Sequence, residues 1–182
     1  MIRSPSQKGA GGGCIGPVIL LPDEPHAVNP RSQRGRPLPP RPLARYLVAK
    51  FDGYRVQLHK AGVSSAIYDR NGGDFIRRFP AVAAAVLGLP TKSAVIDGEL
   101  IAAGRHGQPD FLALLNGRHV PTCVYCFDLL ELNGRDLCEQ PLVQRRARLE
   151  ALLKRVKGNV IRFSEAFPNA NDLLAECTRL GL

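Results

Sequence analysis

Long apolar runs are missing from this 182-residue chain. None approaches the roughly 18–20 consecutive apolar residues that span a bilayer, so no transmembrane helix is expected. Ile15 to Leu21 is apolar and follows two basic residues, but Gly16 and Pro17 interrupt it. No small-residue cleavage site follows, which argues against a signal peptide and for a cytoplasmic protein. A regular cysteine framework is also missing. The five thiols, at 14, 123, 126, 138 and 177, are odd in number and unpatterned, which favours a reducing compartment. Cys123 and Cys126 have C-x-x-C spacing, but residues three apart on an apolar strand fall on opposite faces. With no second ligand pair, zinc is not expected and buried thiols are. Acids are scarce as well. Sixteen Asp and Glu against 25 Lys and Arg leave a net charge of +9, which suits an anionic partner such as nucleotide or nucleic acid, or a basic solubilising surface.

The first 45 residues differ from the rest. They hold nine of the fifteen prolines, the run Gly11-Gly12-Gly13, and seven Lys or Arg against two Asp or Glu. Such a segment cannot bury enough apolar surface to order itself, so 1–45 is expected to be disordered. Its Arg- and Pro-rich part, Arg31 to Arg45, reads as an extended basic linker or as a tail without function. From Tyr46 the texture is globular. Strands are predicted over 46–51, 54–60, 63–69, 94–102, 122–130 and 159–163, with Ala61-Gly62 turning the second into the third. Helices are predicted over 79–87, 109–115, 142–156 and 171–180, the last capped by Asn169 or Asn171. Hairpins mixed with non-alternating helices indicate an α+β fold with mainly antiparallel sheets. There are no internal repeats.

Four polar clusters interrupt the apolar pattern. Lys50-Phe51-Asp52-Gly53-Tyr54-Arg55 packs an amine, a carboxylate, a glycine and a guanidinium together. On a strand, Lys50 and Asp52 share a face, and Arg55 joins them if Gly53 lets the chain turn or bulge. This set suits covalent chemistry on a phosphate; a salt-bridged hairpin edge is the plainer alternative. Tyr68 to Phe75 closes a hairpin with a glycine-rich loop whose Arg70 can hold a phosphate or ribose, or whose Asn71-Gly72 is simply a turn. Ala94 to Ile101 sets Asp97 and Glu99 around Gly98 in an apolar strand, where unpaired polar groups are costly. Glu99 can bind Mg²⁺ through oxygen or orient an amine; alternatively, a bulge leaves one carboxylate capping a backbone amide. In Val124 to Leu130, Phe127 is a stacking platform for a base or a core residue, and Asp128 ends the strand. Such a stack is worth about 1–3 kcal/mol.

Taken together and in this order, K-F-D-G-Y-R, D-R-N-G, D-G-E-L and Y-C-F-D-L-L-E-L-N-G resemble the nucleotidyltransferase domain of ATP-dependent DNA ligases of the bacterial end-joining type. The resemblance covers about residues 46–182, and Pro109-Asp110-Phe111 and the P-L-x-x-R-R-x-R-L run at 141–149 share it. It implies the adenylation-domain fold of packed, mainly antiparallel sheets, with ATP and Mg²⁺ as cofactors. Lys50 would attack the α-phosphate to form a lysyl-AMP that serves to seal nicked or broken double-stranded DNA. Asp52 would assist the lysine and metal, Arg55 and Arg70 would contact ribose or phosphates, Glu99 would bind ribose or metal, and Phe127 would stack on adenine. End-joining repair proteins would be partners of a monomeric, non-membrane protein. Two departures are visible. Many members carry a glutamate, reading the adenine amino group, where this chain has Val48. The members also continue past the position of Leu182 into E-G-x-V-x-K and K-x-K strands and an OB-fold domain. The resemblance therefore implies a partial, C-terminally incomplete domain with little activity alone. A catalytically dead nucleotide- or DNA-binding remnant is an alternative. A third reading is a transferase of the RNA-ligase or mRNA-capping type, which shares K-x-D-G-x-R.

Overall fold

The computed structural model describes residues 19–21, 46–49, 51–102, 109–116 and 121–180. In chain order the elements are β1 (Ile19–Leu21), β2 (Tyr46–Val48), β3 (Tyr54–Ala61), β4 (Ser64–Asp69), α1 (Pro80–Leu87) and β5 (Ser93–Ala102). There follow α2 (Phe111–Leu115), β6 (Thr122–Leu132), β7 (Arg135–Asp136), α3 (Leu142–Leu153), β8 (Ile161–Phe163) and α4 (Ala170–Leu180). β4, β3, β5, β6 and β7 form an antiparallel run in that spatial order, and β8 joins β6 in parallel. The mixed α+β architecture with mostly antiparallel pairing agrees with the sequence. Among the described residues no helix is long and apolar enough to cross a membrane.

Local chemistry accounts for the element ends. Gly62 takes a positive φ of 59° at the first central position of the β3–β4 turn, the place where a primed hairpin turn favours glycine. The turn thus sits one residue later than expected, on Gly62-Val63. Pro80 opens α1, where its missing N–H costs nothing. Asp110 caps α2 by accepting from the Ala113 amide at 2.9 Å, and Asn169 caps α4 by accepting from Asp172 at 3.0 Å. Two strands escaped the sequence. β7 is two residues long, and β1 lies inside the segment expected to lack order, where Ile19–Leu21 pairs with β2.

Alternation along the strands divides the large sheet into two faces. Val56 and Leu58 on β3, and Ala94, Ile96, Leu100 and Ala102 on β5, enter the main core with Val82 and Val86 of α1, Leu114 of α2, and Leu149 and Leu152 of α3. The helices α1 to α3 therefore cover one face. On the other face a small cluster of Phe51, Ile101, Cys123 and Tyr125 forms, with the Phe51 and Tyr125 rings stacked 3.9 Å apart. Near it, β2 bridges to Phe167 through reciprocal Leu47–Phe167 backbone bonds of 2.9 and 2.8 Å. Cys123 and Cys126 do fall on opposite faces, in the small cluster and the main core respectively. Burial pushes both thiols above the ordinary range.

Candidate functional site

The face opposite the helices carries the polar clusters. On β3 and β5, Arg55 is the cross-strand partner of Glu99, and Gln57 of Asp97. Directly opposed residues on one face lie close enough to interact, so the register brings Arg55, Glu99 and Asp97 together. Arg55 forks onto Asp97, with Nε to Oδ1 at 3.2 Å and Nη2 to Oδ2 at 2.6 Å. The Asp97 carboxylate is almost fully buried while the Arg55 side chain is 46% exposed. Asp97 thus acts as a buried anchor that aims a half-exposed guanidinium; its hydrogen bond, more than charge alone, raises the Arg55 pKa. The guanidinium also lies over the Phe127 ring, 5.6 Å from its centroid.

Phe127 reaches this position through a bulge. Asp97 pairs with Asp128 while Gly98 pairs with Cys126, so Phe127 is the extra residue of β6, the kind of insertion that re-aims a side chain. Gly98 makes the close approach of β5 and β6 feasible. A Cβ there would meet Val124 Cγ1 at 2.8 Å and the Tyr125 carbonyl oxygen at 2.9 Å. Gly53 has a related cause: a Cβ would land on the Leu100 carbonyl oxygen of β5. It is small because two backbones meet, and it does not hold a positive φ.

Glu99 is the most perturbed acid of the group. Burial pushes its carboxyl up to about 7, against the opposing pull of Arg55 and of the Gly53 N–H that it accepts, and with Asp52 and Asp97 adding to the rise. Glu99 thus accepts from a backbone amide, and it is half-buried on the face away from the helices. Asp52 is exposed. Arg70 is exposed one residue beyond the last β3–β4 register pair, Val56 with Asp69. That puts it at the Arg55 end of the sheet, in a loop that Asp69 Oδ1 holds by accepting from Asn71 and Gly73 at 2.8 and 2.7 Å. Lys50 lies outside the described residues, between Ala49 and Phe51. Val48 is 7% exposed, an apolar buried side chain on β2.

Asp128 does not end its strand, since β6 runs on to Leu132. Its carboxylate is buried against Arg145 of α3 in a two-bond fork of 2.8 Å each, and Arg145 also donates to the carbonyls of Cys138 and Gln140 at 3.3 and 2.6 Å. The sequence left Asp97 and Asp128 without partners because both guanidiniums come from distant segments, 42 and 17 residues away. The signal available was the cost of a lone carboxylate in an apolar strand, which demands a cation somewhere.

Comparison with known proteins gives one consistent answer. The family described as ATP dependent DNA ligase domain matches residues 43–176. The chain is 38% identical over 138 residues to a multifunctional non-homologous end joining protein LigD of Pseudomonas aeruginosa, covering 73% of this chain and 16% of that protein. It is 39% identical over 117 residues to DNA ligase B of Mycobacterium tuberculosis, covering 58% of this chain and 23% of the relative. Its fold is similar to the ligase domain of M. tuberculosis LigD, with TM-score 0.61, 28% identity, and coverage of 72% of this chain and 44% of the other. A mycobacterial DNA ligase D solved with ATP and MES gives TM-score 0.57 and 27% identity, with the same coverage. The chain spans less than a third of the length of these curated relatives.

Proposed function

The chain belongs to the ATP dependent DNA ligase domain family, and from that premise we propose that it carries the ATP-side chemistry of DNA break sealing. Lys50 Nζ, having lost a proton, attacks the α-phosphorus of ATP. The bond from that phosphorus to the bridging oxygen breaks, pyrophosphate leaves, and a lysyl-AMP remains. In the longer reaction the AMP passes to a DNA 5′-phosphate, and a 3′-hydroxyl displaces it. The observation that carries the reading is the grouping of Arg55, Glu99 and Phe127 on the sheet face away from the helices, at the end of the K-x-D-G-x-R segment.

Catalysis of phosphoryl transfer is largely positioning and charge stabilisation. Phe127 offers a face on which adenine stacks. Arg55 is held by Asp97 through Nε and Nη2, which leaves the Nη1 edge for ribose or phosphate oxygens. Arg70, at the same end, meets the same anion. Asp52 sits two residues from the nucleophile and assists it.

Magnesium takes oxygen ligands, commonly one or two carboxylates with the substrate's phosphates. Glu99 and Asp52 fit that demand: beyond burial, the Asp52 carboxylate disfavours the charged form of Glu99, and a cation held by both would relieve that conflict. Asp97 is committed to Arg55. Among the described residues no group of three or more His, Cys, Asp or Glu forms a cage for a metal, so Glu99 with Asp52 would hold Mg²⁺ jointly with the triphosphate. When bound, it supplies charge neutralisation at the phosphates.

The proposed partners are nicked or broken double-stranded DNA and end-joining repair proteins, the protein acting as a cytoplasmic monomer. Val48 offers adenine an apolar wall, and an apolar wall discriminates weakly. The test is incubation with Mg²⁺ and ATP or GTP labelled at the α-phosphate. The expected result is a low-yield label from ATP that survives denaturation and is absent from Lys50→Ala. Label from GTP in clear preference would favour a capping-type transferase, and no Lys50-dependent label from either nucleotide would sink the reading.

A further inference from the structure

β8 pairs with β6 as far as Cys126 and Phe163, and the Ser164 amide then donates to the Cys126 carbonyl at 2.8 Å. Beyond that bond the two strands part, because Phe127 is inserted as a bulge. The carbonyls of Phe127 and Ser164 lose their strand donors there, and an unmet buried acceptor is costly. One side chain of α3 serves both. Arg146 donates from Nη1 to the Phe127 carbonyl at 2.9 Å and from Nη2 to the Ser164 carbonyl at 2.6 Å. Its guanidinium lies over the Phe163 ring, 4.9 Å from the centroid, and the residue is 9% exposed. No carboxylate is within ion-pair distance of it among the described residues. Burial lowers its pKa, with the charges of Asp128 and Glu150 opposing. Its neighbour Arg145 grips the Asp128 carboxylate. Consecutive arginines of α3 therefore hold consecutive residues of β6, one by its carbonyl and the other by its carboxylate.

We propose that Arg146 is a positioning residue that sets the ring of Phe127. The peptide between Phe127 and Asp128 is pinned on both sides, which fixes the direction of the Phe127 side chain under the Arg55 guanidinium. A buried charge is an expensive way to fill space, but a planar fork reaches two diverging carbonyls where an ammonium, a point donor on a flexible stem, does not. The inference rests on the reading of Phe127 as the platform for the nucleotide base.

The chain contains no tryptophan, so F127W installs a sole tryptophan on the platform, excited at wavelengths where the four tyrosines do not absorb. With the nucleotide absent, adding R146K is expected to shift the emission to the red and to increase quenching by acrylamide. In the chain with Phe127 intact, R146K is expected to weaken ATP binding about tenfold while leaving inorganic tripolyphosphate, which has no base, unchanged. F127A should lose a similar factor, and R146K on top of F127A should add little, since both act through one ring. Unchanged emission, an equal loss for ATP and tripolyphosphate, or additive losses would each overturn the proposal and leave Arg146 a purely structural residue. If R146K does not fold by circular dichroism, R146Q takes its place, and failure of both likewise assigns a structural role alone. Wild type that binds no ATP overturns the platform reading, and the proposal with it, whatever the ligand-free emission shows. Wild type that binds ATP while the emission stays unchanged overturns only the role of Arg146.

Discussion

Replacing Glu99 by glutamine isolates the most perturbed charge of the site. The folded chain raises this carboxyl from an ordinary 4.5 to about 7, so it binds a proton more tightly when folded than when unfolded. The linked stability is fully present below pH 4.5 and is lost as pH rises through 7. A tenfold change in proton affinity corresponds to about 1.4 kcal/mol, so the rise corresponds to roughly 3 kcal/mol for a dry site. Glu99 is only half-buried, and water screens it, which reduces the figure to about 1–2 kcal/mol. Glutamine keeps an acceptor for the Gly53 N–H and never ionises. Urea unfolding between pH 5 and 8 should therefore show Glu99→Gln close to wild type at pH 5 and about 1–2 kcal/mol more stable at pH 8. A difference that does not change with pH, or a variant less stable at pH 8, would refute the assignment of the rise to burial.

Three further outcomes follow from the packing. Asp128→Asn leaves the buried Arg145 cation without its carboxylate and should cost about 3–5 kcal/mol in urea unfolding. Glu150→Gln, which removes an exposed helical pair with Lys154, should cost less than about 0.5 kcal/mol. Gly98→Ala drives a methyl group into Val124 and the Tyr125 carbonyl and should destabilise by about 1–3 kcal/mol; a neutral result would mean that β5 and β6 separate more easily than their register implies.

The legible part of this protein was the periodic part. The alternation over 54–60 and 63–69 marked β3 and β4 and placed their turn one residue early, and the helical pattern over 142–156 marked α3. What stayed hidden depends on contacts between distant residues. Nothing local announces that Phe127 is a bulge residue, since a bulge is defined by the register of the neighbouring strand. Gly53 was read for its freedom of conformation, yet its cause is the Leu100 carbonyl across the sheet. Asp97 was placed beside Glu99, but only the fold shows that Asp97 takes Arg55 and leaves Glu99 facing the open side. The two-residue β7 is too short to carry a pattern, and the three residues of β1 sit among prolines and glycines that favour disorder.

The most direct measurement is to locate the adenylate. The chain is incubated with Mg²⁺ and ATP, digested under conditions that preserve a lysine phosphoramidate, and its peptides mapped by mass spectrometry. AMP is expected on the peptide containing Lys50, and on no peptide of Lys50→Ala. AMP on Lys60, Lys92 or another lysine, or a modification that persists in Lys50→Ala, would contradict it.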